Sequence, residues 1–173
     1  SGAHLSYGDF KDATFRAKGA IRLNGAGLAH ADLSGSKLTA ESYGDARIDF
    51  TDANLANASL SGSTLTADGI FGESRGTIDF SEANLANADM SGLTLTAYGY
   101  STATIDFAEA NLADADLSGA SIIADASYGA ATINFAAASL ANADMSDSTL
   151  TANGFGAAIN FTDATLTDAD LSD

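Results

Sequence analysis

The stretch Ile78-Asp79-Phe80-Ser81-Glu82-Ala83-Asn84-Leu85-Ala86-Asn87-Ala88-Asp89-Met90-Ser91-Gly92-Leu93-Thr94-Leu95-Thr96 decides the fold. Phe80, Leu85, Met90 and Leu95 fall five residues apart, and Ala83 and Ala88 stand two places before Leu85 and Met90. Five matches neither the 3.6-residue period of a helix nor the two-residue period of a flat strand. A chain that buries one large residue in five turns a corner every five residues. Four corners close a coil, and stacked coils make a solenoid.

Working outward, the same rhythm gives Phe50, Leu55, Leu60 and Leu65 upstream. Downstream it gives Phe107, Leu112, Leu117 and Ile122, then Phe135, Leu140, Met145 and Leu150. Four faces emerge. Face one is Ile48-Asp49-Phe50, recurring at Ile78, Ile105, Ile133 and Ile159, with Ile21-Arg22-Leu23 as an earlier copy. Face two is Ala53-Asn54-Leu55, with copies at Ala83 and Ala110. Face three is Ala31-Asp32-Leu33-Ser34-Gly35, with copies at Ala88 and Ala115. Face four is Ser63-Thr64-Leu65-Thr66, then Thr94-Leu95-Thr96 and Thr149-Leu150-Thr151. Strand alternation turns each central large residue, and the one two places before it, inward.

Ala-Asn-Leu-x-x and Ala-Asp-Leu-Ser-Gly resemble the pentapeptide-repeat family, over roughly residues 21–173 with weaker echoes at Leu5, Phe10 and Phe15. The resemblance implies an all-β fold, a right-handed quadrilateral β-helix. The repeat count predicts six to seven coils and a rod of about 30 Å, at about 4.8 Å per coil. The chain departs from the family regularly. Extra segments at 41–47, 68–77, 98–104, 125–132 and 153–158 precede each face one. Their unequal lengths predict loops protruding from one corner. Each carries an aromatic beside Gly (Tyr43-Gly44, Phe71-Gly72, Tyr98-Gly99-Tyr100, Tyr128-Gly129 and Gly154-Phe155-Gly156), and stacking would bring those rings together along one edge. The expectation is that they pack loop on loop, with a ligand-stacking strip as the alternative.

No composition break divides the 173 residues, so residues 1–173 read as one solenoid domain. With no Cys there are no disulfides or thiolate metal sites, and the absence of Pro suits a fold in which nearly every N–H pairs with a neighbouring coil. No apolar run is long enough for a transmembrane helix. The chain begins with Ser and ends at Leu171-Ser172-Asp173 in an unfinished coil, which predicts either a fragment of a longer repeat protein or a homodimer through the C-terminal coil. That dimer is the mode the family resemblance implies.

Charge is unevenly placed. Residues 1–75 hold all seven Lys and Arg against nine acids, a net of 7 − 9 = −2. Residues 76–173 hold fourteen acids and no Lys or Arg, a net of −14. Direct binding to nucleic acid or an anionic membrane is disfavoured, because it needs cations.

No catalytic constellation, metal-ligand cluster or cofactor motif is expected. His4 and His30 are isolated, the serines have no histidine base beside them, and acid pairs recur at every coil where a catalytic pair would occur once. Binding therefore falls to three outward ladders. The acidic one is Asp89, Asp116, Asp144 and Asp170 on face three, with Asp49, Asp79 and Asp106 on face one. Its plain role is to cap corner backbone. Its sharper role, implied by the resemblance to family members that imitate DNA, is to bind a type II topoisomerase. The second ladder is Thr39, Thr64, Thr66, Thr94, Thr96, Thr149 and Thr151 on face four, interrupted by Lys37, Ser121 and Ile123. Flat Thr-x-Thr rows suit either a partner or an ice surface, although Thr is also a good strand residue. The third, Ala56, Ala86, Ala113 and Ala141 with Ser61, Ser91, Ser118 and Ser146, reads as scaffold.

The sequence thus predicts a non-catalytic interaction or structural module with a protein partner. Ice binding and an acidic DNA mimic are the alternatives. An ice-binding role would imply secretion and a topoisomerase role the cytoplasm, and the sequence does not choose between them.

Overall fold

A computed structural model describes residues 3–172, so Asp173 of the expected end lies outside the described residues. The described residues wind into stacked coils joined only by parallel pairing. The odd strands β1 (Thr14–Lys18), β3 (Lys37–Ser42), β5 (Thr64–Gly69), β7 (Thr94–Gly99), β9 (Ser121–Ala126) and β11 (Thr149–Asn153) form face four. The even strands β2 (Ala20–Arg22), β4 (Ala46–Asp49), β6 (Arg75–Asp79), β8 (Thr102–Asp106), β10 (Ala131–Asn134) and β12 (Ala158–Asn160) form face one. Faces two and three are ladders of single bridges, one running from His4 to Thr165 and the other from Asp9 to Asp170. Six rungs on two faces and seven on the others make a four-sided β-solenoid.

Each five-residue corner has the same construction. At Phe50-Thr51-Asp52-Ala53 the Ala53 amide donates back to the Phe50 carbonyl at 2.9 Å, closing a turn. The amides of Phe50 and Asp52 donate onward to the next coil, at the carbonyls of Asp79 and Ser81. The third turn residue is left-handed: φ is 58° at Asp52, 58° at Asn57 and 61° at Gly62. Asn, Asp and Gly tolerate that region best, which explains why they punctuate the repeat.

The interior is filled as the repeat predicts. Phe50, Leu55, Leu60 and Leu65, and their equivalents at Phe80, Leu85, Met90 and Leu95, are fully buried with the alanines between them. Phe50, Phe80, Phe107, Phe135 and Phe161 stack with centroids 4.8 to 5.0 Å apart and ring planes within 7°. That distance is the coil spacing itself, so the ring column sets the rise that the backbone bonds also require.

The extra segments do protrude at one corner, and strands build most of the protrusion. Face-four strands run on past Leu65 or Leu95, and face-one strands start before Ile78 or Ile105. The irregular tips shrink to residues 43–45, 70–74, 100–101, 127–130 and 154–157. The two sheets therefore converge into a thin wing. Its interior is Ala67, Gly69 and Gly76 in one coil, and Ala97, Gly99 and Ala103 in the next, all buried. A Cβ on Gly99 would meet the Thr102 carbonyl oxygen, and one on Gly76 would meet the carbonyl oxygens of Tyr98 and Ala67. Gly99 and Gly76 are thus points of backbone contact between sheets.

Candidate functional site

The corner chemistry puts the acidic ladder in place. On faces one to three, an Asp or Asn before the central apolar residue points outward and caps the next corner. Asp89 Oδ1 accepts the Ser91 amide at 3.1 Å and its hydroxyl at 2.7 Å. Asp116 does the same with Ser118 at 2.9 and 2.6 Å, and Asp144 with Ser146 at 2.9 and 2.6 Å. Asp170 accepts the Ser172 amide at 3.0 Å, and the Ser172 hydroxyl and amide hold its carboxyl below the usual range. The capping role read from the sequence is therefore present.

A comparison with the Asn columns shows what capping leaves unexplained. On face one Asn160 Oδ1 accepts the Thr162 amide and hydroxyl at 2.9 and 2.6 Å, the same cap. Its Nδ2 also donates to Asn134 Oδ1 at 2.9 Å, and Asn134 Nδ2 donates to Asp106 Oδ1 at 3.0 Å, tying three coils together. Face two repeats this with Asn111, Asn84 and Asn54 at 3.3 and 3.5 Å. A carboxylate accepts only. The column Asp89-Asp116-Asp144-Asp170 consequently caps its corners, makes no bond between its own members and stacks like charges in register, with Asp89 bonded across coils by the Ser59 hydroxyl at 3.4 Å. Among the described residues no hydrogen bond reaches the second oxygen of Asp116 or Asp144.

Face one is different at its N-terminal end. Arg47 bridges Asp49 at 3.2 Å and Asp79 at 2.7 Å. Burial opposes ionisation of Asp49, but Arg47 with the Thr51 hydroxyl and amide outweighs it and holds the carboxyl below the usual range.

The Thr ladder lies where the repeat puts it. Thr64 pairs with Thr94 and Thr66 with Thr96 across β5 and β7, and Lys37 and Thr39 pair with Thr64 and Thr66. Thr149 and Thr151 are separated from them by Ser121 and Ile123 on β9. The row is not uniformly available: Thr39 and Thr96 are buried, and the Thr39 hydroxyl has no hydrogen-bond partner. A third outward column, Lys18, Glu41, Asp68, Tyr98, Asp125 and Asn153, runs along the same sheet into the wing. Sequence reasoning missed it because it assigned these positions to loops. Beyond Leu65 the inward residues are Ala67 and Gly69, too small to signal that the strand continues.

Most of the exposed large apolar residues gather on the wing: Tyr43, Ile70, Phe71, Tyr98, Tyr100, Tyr128 and Phe155. Tyr43 stacks on Phe71 at 5.6 Å, and Tyr100 packs on Tyr128 at 4.5 Å, so tip does pack on tip. His4 is exposed, and exposed His30 occupies a left-handed corner with its ring stacked on Tyr7 at 4.7 Å. Among the described residues no group of three or more His, Asp or Glu is arranged to hold a metal ion, and no helix is long and apolar enough to cross a membrane.

The family model described as pentapeptide repeats matches in eight copies, with residues 46–67 marked. The chain belongs to the pentapeptide-repeat family. Members are generally non-catalytic structural or interaction modules. No curated protein matches the chain. Among solved structures it is similar to the pentapeptide-repeat protein Rfr23 of the cyanobacterium Cyanothece 51142, at 14% identity over 98% of this chain and 84% of that one, TM-score 0.30. HetL of Nostoc sp. PCC 7120, a pentapeptide-repeat protein involved in heterocyst differentiation regulation, gives 21% identity over 97% and 88%, TM-score 0.22. QnrB1, a plasmid-mediated fluoroquinolone resistance protein, gives 18% identity over 100% and 81%, TM-score 0.28. Overlaps this low carry no functional argument.

Proposed function

We propose that this pentapeptide-repeat solenoid is a non-catalytic interaction module that docks a basic protein surface through the acidic column of face three. The observation that carries the reading is the choice of Asp over Asn at Asp89, Asp116, Asp144 and Asp170. Asn would cap the same corners and also bond the neighbouring coil, as Asn160 and Asn134 do. Stacked carboxylates one coil apart repel by about 1 kcal/mol in water. Accepting that cost in four successive coils, with no Lys or Arg after Arg75, points to the charge being used.

The test separates stability from binding. In Asp89→Asn/Asp116→Asn/Asp144→Asn the rod should melt higher. A photocrosslinking residue at the exposed corner position Asp114 should then lose the adduct that it forms in the cells that make the protein. An adduct unchanged by the three substitutions, or no adduct in the unsubstituted chain, overturns the reading.

The finer identification of that surface as the DNA groove of a type II topoisomerase draws on the same regular charge. Inhibition of supercoiling by the intact chain, lost in the triple Asn variant, would support it. Unimpaired supercoiling at micromolar chain would sink it. The in-register Thr64, Thr66, Thr94 and Thr96 favour ice as a second reading. Faceting of a single ice crystal, abolished by Thr66→Tyr, would support that role, and round crystals would remove it.

A further inference from the structure

The trough along the face-four side of the wing is lined by Asp68, Ile70, Tyr98, Tyr100, Asp125 and Ser127, with a volume of about 330 Å3. A second trough of about 410 Å3, reaching Tyr43 and Lys18, shares Ile70 with it. Strand register orders the first: Asp68 pairs with Tyr98, and Tyr98 with Asp125. One tyrosine therefore stands between two carboxylates in a single outward column, each one strand spacing away, about 4.8 Å.

Three features distinguish this place from the other acid-rich surfaces. Among the described residues, Tyr98 makes no ring pair, whereas Tyr43, Tyr100 and Tyr128 each do. Tyr98 is 42% exposed, leaving it open to a guest. Among the described residues no hydrogen bond or ion pair reaches either carboxylate, whereas nearby Glu41 is held by Arg16 at 3.1 Å. And the Asp68 carboxyl is pushed above its usual range, by burial first and then by Glu41. The wing thus holds a partly dehydrated acid with no cation beside it.

We infer that this trough is the site where an arginine of the basic partner docks, its guanidinium stacked on Tyr98 and hydrogen-bonded to Asp68 and Asp125. The inference rests on the basic-partner reading above and adds a second, wing-borne contact to it. A guanidinium suits the trough better than an ammonium. It is flat enough to lie on the ring, its fork of N–H donors can serve a carboxylate on either side, and it loses less hydration on entering. Tyr and Arg are also enriched among the residues that carry the binding energy at the centres of protein interfaces.

The experiment is fluorescence anisotropy of labelled nona-arginine and nona-lysine peptides titrated with the intact chain. Nona-arginine should bind about tenfold more tightly, the scale of one desolvated stack. Tyr98→Leu should erase that preference and Tyr98→Phe should keep it. Asp68→Asn/Asp125→Asn should erase it too, with unchanged β-sheet circular dichroism confirming the fold in each case. The Asp89→Asn/Asp116→Asn/Asp144→Asn variant should weaken both peptides alike and retain the preference. Equal binding of the two peptides, or a preference that survives Tyr98→Leu, overturns the arginine site and leaves the acidic face standing. If neither peptide binds, both readings fall.

Discussion

At the corner after face one the chain fills its interior, and at the wing it empties it. Phe107 lies stacked between Phe80 and Phe135 at 5.0 and 4.8 Å, and its backbone turns through a left-handed residue, Glu109, at φ 59°. In the same coil, Gly99 and Ala103 bring two sheets together until no added carbon would fit between Gly99 and the Thr102 carbonyl oxygen. Both ends of the coil are close-packed, but opposite substitutions damage them. The regular corner is sensitive to lost volume and to backbone handedness. The wing is sensitive to gained volume.

The largest effect expected from this contrast is at the ring column. Phe107→Ala removes a fully buried ring from a stack that cannot collapse without shortening the coil spacing, and should cost about 4 kcal/mol in urea unfolding. A loss under about 1 kcal/mol would mean that the stack follows the backbone spacing without helping to hold it. Next comes Gly99→Ala. Overpacking at backbone contact should cost about 3 kcal/mol or splay the wing. Its partner experiment is Gly92→Ala, at a regular corner with φ 60° and nothing within 4 Å of the added carbon. There only the left-handed backbone objects, at about 1 kcal/mol. If the two glycines respond alike, the wing is not the tight interface described. In the other direction, Ala137 sits at φ 56° in a position that other coils fill with Asp52, Glu82, Glu109 and Asp163. Ala137→Asn should stabilise by about 0.5 to 1 kcal/mol, read as a higher melting temperature.

The same division explains what the sequence could disclose. The corners were legible because one residue in five must be large, so Phe80, Leu85, Met90 and Leu95, with Ala83 and Ala88 between them, announce the coil by themselves. The acidic and Thr ladders followed, since outward positions are fixed once inward ones are. The wing was harder to read. Its inward residues are Ala and Gly, which leave no hydrophobic period, and its strands vary in length at the tips. Ala67 and Gly69 alternate inward as faithfully as Leu65, but small residues do not mark a face in the way that Leu does. The Asp68-Tyr98-Asp125 column needed strand register, which depends on how far each wing strand runs before its tip. The cost of the acidic column also needed structure, because only the Asn contacts reveal what Asp gives up.

The smallest effects should separate the two regions by sign. Asp49, on the regular face, has its carboxyl held below the usual value. Asp68, in the wing, has its carboxyl raised above it by burial and by Glu41. By linkage, a depressed carboxyl contributes stability that is fully present above the unfolded value of about 3.9 and is lost as pH falls through the lower folded value. A raised carboxyl does the reverse: its contribution is present below the unfolded value and is lost as pH rises through the higher folded one. Asp49→Asn should therefore lower the melting temperature at pH 7, with the gap to the parent chain closing only in strong acid. Asp68→Asn should raise it slightly at pH 7, and that gap should close first as the solution is acidified, because its folded value is the higher. Melting curves of the two variants from pH 7 down into strong acid read both. Shifts of the same sign would mean that Asp68 is not held out of water in the trough. The guest cation would then meet a hydrated carboxylate, and the difference between corner and wing would be one of packing alone.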